Sequence, residues 1–383
     1  MTPRQVVLDG RRLVVCVGSG GVGKTTSAAS MGLWAAMQGK KVLVLTIDPA
    51  RRLANSLGLT EFGNDERRID LSDVDVVDGG QLWAMMLDTQ TTFNELIVQM
   101  APNQETAQRI LDNPIYQTMS DTFAGSQEYM AAEKLHDVVS TGRYDLVVLD
   151  TPPVKNALDF FEAPGRLSRF FDRQVISWFL NPPKRTGLLG SLKQGTSTVI
   201  WKMLGYVFGH DFLEDLSDFL LLFQDMYEGF RERHQMVLKL FRSQECSFVT
   251  VCAPTEPSVE VAGFFSKELS QRSYSRGGTV VNQVHLCGDV VLDPQVLLGE
   301  QAKELSQDLQ DWTAASLVAR LGAAHRRLRA LAAGERLLIQ KVQSFSSGFL
   351  LEIPRLEGEV NDLKGLARIA SILFDDASVS TDS

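Results

Sequence analysis

Gly18, Ser19, Gly20, Gly21, Val22, Gly23, Lys24, Thr25 and Thr26 follow the apolar run Leu13, Val14, Val15, Cys16, Val17 and lead into an Ala-rich, helix-favouring segment. Strand, glycine-rich turn and helix in that order are the setting in which G-x-x-x-x-G-K-[ST] has a mechanism. The glycines let successive backbone N–H groups turn inward around a phosphate, so Gly20, Gly21, Val22, Gly23, Lys24, Thr25 and Thr26 form the expected cradle. Lys24 is placed to reach β- and γ-phosphate oxygens, and the Thr25 hydroxyl to ligate Mg2+. The helix opening near Lys24 adds its positive dipole end to the same anion. A glycine-rich turn without a nucleotide is the competing reading, and the strand-loop-helix context argues against it.

The chain has 383 residues, more than a single core usually holds, so one large nucleotide-binding unit with a further lobe or insertion is expected. Lys plus Arg is 38 against 47 Asp plus Glu, a net charge of −9, and no basic run stands out, which argues against a nucleic-acid partner. Cys16, Cys246, Cys252 and Cys287 are too few and scattered for a disulfide framework and include no C-x-x-C pair for zinc. Met1 to Arg12 carries charges without an apolar core, and no apolar run approaches ~18 residues, so the expected location is cytoplasmic.

Onward from the loop, Lys41, Val42, Leu43, Val44, Leu45, Thr46, Ile47 is a short apolar run ending in Asp48, Pro49, Ala50, Arg51, Arg52. Such runs separated by helical segments predict a buried parallel sheet. A carboxylate at the carboxyl end of the neighbouring strand, here Asp48, is placed to orient an attacking water or to reach Mg2+ through water. The alternative is that Asp48 caps the next helix. Leu82 to Leu87 is a third strand, after which continuous helix is predicted between Thr89 and Val139, from the spacing of Phe93, Leu96, Ile97, Met100 and later Tyr129, Met130, Leu135, Val138. Tyr144 to Asp150 is again an apolar strand ending in an acid, the pattern expected where Asp150 supports the Mg2+ of a nucleotide through water. The loop Thr151 to Asn156, which includes Lys155, would then sense the γ-phosphate.

A second helical insertion spans roughly Leu167 to Phe241. Its last helix has Asp211 and Glu214 at capping-box spacing and an apolar face of Phe212, Leu216, Phe219, Leu220, Phe223, Met226, Tyr227, Phe230 and Val237, broadened by Leu213, Leu221 and Leu222. That breadth is compatible with a cargo groove or with packing inside its own subdomain. Ser247 to Ala253 and Thr279 to Gln283 are further strands. Asn282, at the end where ligands bind such sheets, is placed to bond a base edge. In GTP-binding relatives an Asp three residues on accepts from guanine; here that position is His285, which favours adenine. Glu300 to Ser347 reads as helix and Phe349 to Pro354 as a closing strand. The expected division is an ATPase core in three parts (10–88, 141–165, 244–374), an all-α insertion in two (89–140, 166–243) and a disordered polar tail (375–383).

These motifs, G-S-G-G-V-G-K-T-T at Gly18 to Thr26, T-I-D-P-A at Thr46 to Ala50, D-T-P-P at Asp150 to Pro153 and V-N-Q at Val281 to Gln283, resemble the arsenite-pump and tail-anchored-protein-targeting ATPases, a group of dimeric deviant P-loop ATPases. The stretch Asp150 to Pro164, with Gln127 to Met130, looks closest to the bacterial, mycobacterial-type members. The resemblance implies an α/β P-loop NTPase with a mostly parallel central sheet flanked by helices, plus an inserted all-α subdomain. It implies ATP and Mg2+ as ligands: Lys24 and Thr25 on phosphate and Mg2+, Asp48 positioning water, Asp150 supporting Mg2+, Asn282 near adenine. It further implies a dimer that closes on ATP and opens after hydrolysis. Three departures stand out. Family loops usually carry a second lysine just before the paired glycines that reaches into the partner's ATP, and Ser19 occupies that position. Either a lysine-bearing paralogue completes a heterodimer, or Arg51, Arg52 or Lys155 replaces the cation within a homodimer. The zinc C-x-x-C of the eukaryotic targeting dimers is missing, so no zinc is expected. The clustered cysteines of an arsenite site are not apparent.

Two function classes follow: an ATP-driven carrier that holds an apolar, tail-anchored-like protein segment, and the energy-coupling subunit of a membrane pump for an anion or metalloid. A peripheral membrane partner fits either. A membrane- or DNA-positioning ATPase fits less well, because such proteins are normally smaller and lack the helical insertions.

Overall fold

The computed structural model describes residues 2–47, 53–54, 57, 64–117, 126–152, 206, 209–287, 314–356, 358, 360 and 362–374. Alternation along its strands explains the layering. Leu13, Val15 and Val17 point to one face of the sheet, and Val14 and Cys16 to the other, and both faces are covered. The strands are β1 (Leu13–Gly18), β2 (Lys41–Thr46), β3 (Arg67–Arg68), β4 (Gln81–Met86), β5 (Leu146–Asp150), β6 (Cys246–Cys252), β7 (Arg276–Val284) and β8 (Phe349–Pro354). They form one sheet in the order β3-β4-β2-β5-β1-β6-β7-β8, parallel throughout except for β3. The central strands β1, β5 and β6 are buried along their whole length, as continuous apolar runs require. At one edge the antiparallel β3 offers only Arg67 and Arg68, both exposed, and such charge discourages pairing with another chain.

The helices are α1 (Pro3–Leu8), α2 (Lys24–Met37), α3 (Thr89–Met100), α4 (Gln104–Leu111), α5 (Ser126–Ser140), α6 (His210–Arg242), α7 (Glu256–Gln271), α8 (Ala314–Phe345) and α9 (Leu363–Phe374). One sheet face packs on α1, α2 and α9, with Trp34 stacked on Phe374 at 4.1 Å between ring centroids. The other face carries Phe93, Leu96 and Ile97 of α3, Ile110 of α4, Leu135 of α5, and Phe230 and Phe241 of α6. A third cluster joins Val259 and Ala262 of α7, Val281 and Val284 of β7, and Ile339 and Val342 of α8. No helix among the described residues is long and apolar enough to cross a membrane.

Several expectations are corrected. The helical stretch after β4 is not continuous. It divides at Ala101, the residue before Pro102, whose backbone is extended, and α4 restarts with the Asn103 side chain accepting from the Thr106 N–H at 2.8 Å. Asp211 does not cap α6: that helix begins at His210 behind Gly209, whose φ of +89° only glycine adopts readily, and Asp211 sits in its first turn facing the helix dipole. Helices α1, α7 and α9 and strand β3 were not anticipated. The anticipated tail, 375–383, lies outside the described residues.

Candidate functional site

The carboxyl ends of β1, β2 and β5 lie side by side, so the parallel register pairs Cys16 and Thr46 with Asp150. Asp150 is fully buried, and its Oδ2 accepts two hydroxyl hydrogen bonds, from Thr25 Oγ1 at 2.6 Å and Thr46 Oγ1 at 2.9 Å. One residue on, the Thr151 hydroxyl donates to the Cys16 carbonyl at 2.7 Å, tying β5's exit to β1 under the glycine-rich loop. Cys16 itself is buried, and burial together with the Asp150 carboxylate pushes its thiol far above the ordinary value, so it remains a packed thiol.

The loop from Gly18 to Gly23 leaves no room for side chains where the neighbouring elements meet it. A Cβ on Gly18 would overlap the Val251 carbonyl, and one on Gly23, at φ +88°, would overlap the Asn282 amide. Lys24 opens α2 and is nearly buried, its ammonium donating to the Ser19 carbonyl at 2.8 Å so that the charge is held over the loop. Ser19 Oγ lies 3.0 Å from Ser258 Oγ on α7, and Ser258 Oγ also accepts from the Ala253 N–H at 3.0 Å. The position where a lysine is usual is therefore tied within its own chain. From the other side, Asn282 Nδ2 donates to the Val22 carbonyl at 2.9 Å and Gln283 Nε2 to the Gly21 carbonyl at 3.4 Å. Asn282 Oδ1 accepts from the Gln283 N–H at 2.9 Å.

The structure thus brings together Lys24, Thr25, Asp150 and Asn282, which the sequence singled out. Asp48, Arg51, Arg52 and Lys155 lie outside the described residues. Thr46, Ser258 and Gln283 belong to the same constellation and were missed as site residues. Two of them had a signal: Gln283 stands in the V-N-Q motif, and Thr46 is a hydroxyl residue at the carboxyl end of an apolar strand adjoining the one that ends in Asp150. The donor set fits a magnesium nucleotide: a glycine-rich cradle in which Gly18 and Gly23 admit no Cβ, an ammonium, and the hard oxygens of a hydroxyl and a carboxylate 2.6 Å apart.

Residues 11–291 match the family described as anion-transporting ATPase. Among curated proteins, the chain is similar to ATPase get3 of Schizosaccharomyces pombe, 27% identical over 276 residues that cover 70% of this chain and 72% of that one. ATPase get3 of Schizosaccharomyces japonicus is 28% identical over 296 residues, covering 76% and 80%. An ATPase ASNA1 homologue of Plasmodium yoelii yoelii is 26% identical over 298 residues, covering 75% and 67%.

Proposed function

We propose that this chain, which belongs to the anion-transporting ATPase family, is an ATPase that couples nucleotide-driven closure of a dimer to holding an apolar protein segment. The observation that carries the nucleotide reading is the buried Asp150 carboxylate gripped by Thr25 and Thr46 at the floor of a loop whose Gly18 and Gly23 admit no Cβ. In this reading Lys24 neutralises phosphate charge, Thr25 with Asp150 holds Mg2+, Asp48 aligns the attacking water, and Asn282 offers its second amide hydrogen to the base. When bound, Mg2+ supplies charge neutralisation on the β- and γ-phosphate oxygens. Thr46 keeps the Asp150 carboxylate oriented, and the loop N–H groups donate to the developing negative charge in place of water.

The carrier half of the reading is supported by α6. Its neighbours Leu220 and Leu221 face opposite environments, the first 2% and the second 47% exposed. A helix that already satisfies the core with Phe219, Leu220, Met226, Phe230 and Phe241 still offers an apolar side chain outward. The pump reading draws less from the structure, because Cys16, Cys246 and Cys252 are buried and burial raises each thiol, that of Cys252 to about 12. Such thiols are poor metalloid ligands.

Variant nucleotide binding and turnover test the proposal. Lys24→Ala should lose ATP affinity, whereas Asp48→Asn should bind ATP, stop hydrolysing it and accumulate as closed dimer. The stalled Asp48→Asn protein should retain a tail-anchored peptide, and adding Leu221→Asp should abolish retention without unfolding. Normal turnover in Asp48→Asn removes that residue from catalysis, and retention unaffected by Leu221→Asp removes α6 from the cargo surface.

A further inference from the structure

Beyond the loop, the end of β7 is clasped by a carboxylate that the ATPase reading does not use. Glu335 lies on α8 and is 6% exposed. Its Oε2 accepts from the His285 backbone N–H at 2.8 Å and its Oε1 lies 2.6 Å from His285 Nδ1. With Nδ1–H donating to Glu335, the Nε2 lone pair faces the Arg355 guanidinium at 3.5 Å. Arg355 is in turn tied to β7 through its backbone N–H, which donates to the Val284 carbonyl at 2.9 Å.

Glu335 stands at the end of an apolar seam. One turn on is Ile339, and Ile339 and Val342 pack against Val281 and Val284 of β7. Burying the carboxylate costs desolvation, which its two bonds to His285 offset. Two residues back is Gln283, at φ +64°, a left-handed conformation that a non-glycine side chain holds only where its surroundings over-determine it. Those surroundings are the Asn282 Oδ1 bond before it and the Glu335 clasp after it. The result of the conformation is that Asn282 and Gln283 draw the carbonyls of Val22 and Gly21 toward β7. In a trans peptide the following N–H points the opposite way, so the Gly23 and Val22 amides are turned away from β7, to the anion side.

We propose that Glu335 is a positioning residue for the nucleotide site, holding His285 so that Asn282 and Gln283 keep the loop amides aimed at phosphate. It rests on the ATPase reading and adds a coupling from α8 to the phosphate loop. Glutamine at 335 would supply one acceptor and set an N–H2 against the other donor. Asparagine at 285 can put an N–H near the place of Nδ1, whereas phenylalanine cannot.

Calorimetric titration of Mg-ADP and steady-state kinetics, on full-length Glu335→Gln, His285→Asn and His285→Phe, test this. Glu335→Gln and His285→Phe should raise the ADP Kd and the KM for ATP about tenfold, the effect of one net charged hydrogen bond, with kcat within about twofold. His285→Asn should return both to within about threefold of wild type. Unchanged Kd and KM in folded Glu335→Gln would overturn the proposal, as would a fall in kcat alone. If Glu335→Gln does not fold, the difference between His285→Asn and His285→Phe decides, and equal affinities refute it. A wild-type chain that binds no nucleotide defeats the ATPase reading and this one with it, a result separable from normal wild-type binding with indifferent variants.

Discussion

Replacing Thr46 by valine asks whether the floor of the loop is held by hydroxyl bonds to Asp150. Valine matches threonine in shape, so no cavity opens, and what is lost is the 2.9 Å bond to a fully buried carboxylate. A hydrogen bond to a charged group contributes about 1.5–3 kcal/mol. Thr46→Ser is the internal control: it keeps the hydroxyl and removes one buried methyl, about 0.8 kcal/mol. Valine should therefore be the worse substitution by roughly 1–2 kcal/mol, the reverse of what a purely apolar strand position would show. Urea unfolding of the nucleotide-free protein, followed by circular dichroism, reads the difference; a slope of about 3 kcal/mol/M places the two midpoints about 0.3–0.7 M apart. Because Asp150 also holds Thr25, Thr46→Val should further weaken the Mg2+ dependence of nucleotide affinity. Valine equal to wild type, or serine below valine, would refute the claim that Thr46 holds the carboxylate.

Ser258→Ala removes both the tie to Ser19 and the acceptor for the Ala253 N–H, leaving a buried donor unpaired. Urea unfolding should show a loss of about 1–3 kcal/mol, and an unchanged midpoint would mean that water replaces the hydroxyl. His234 on α6 has its pKa lowered by burial from 6.5 to about 4, so between those values the unfolded chain binds a proton that the native chain refuses. Its contribution to stability is accordingly lost as pH falls from 6.5 towards 4, and His234→Phe should lose less stability than wild type between pH 7 and 4.5. Equal losses in the two proteins would clear the histidine.

The loop from Gly18 to Thr26, the apolar strands and the acid at the end of β5 were legible from sequence because each depends on local order. A glycine-rich turn between a strand and a helix, or a run buried on both faces, is written in consecutive residues. Asn103 was equally legible in principle: Pro102 and a capping side chain mark the break between α3 and α4, and the helical spacing on either side masked it. What sequence alone could not supply was partnership between distant residues. Thr46 meets Asp150 because the parallel register sets β2 beside β5, Ser19 meets Ser258 across 239 positions, and Glu335 reaches His285 only because α8 docks on β7. The direction of each α6 side chain was likewise decided by packing: Leu220 and Leu221 are chemically identical, and only the helix's placement on the sheet buries one and exposes the other. Sequence marked the loop residues proposed to bind phosphate; the fold decided which others hold them in place, since hydrogen bonds act over about 3 Å of space and not along the chain.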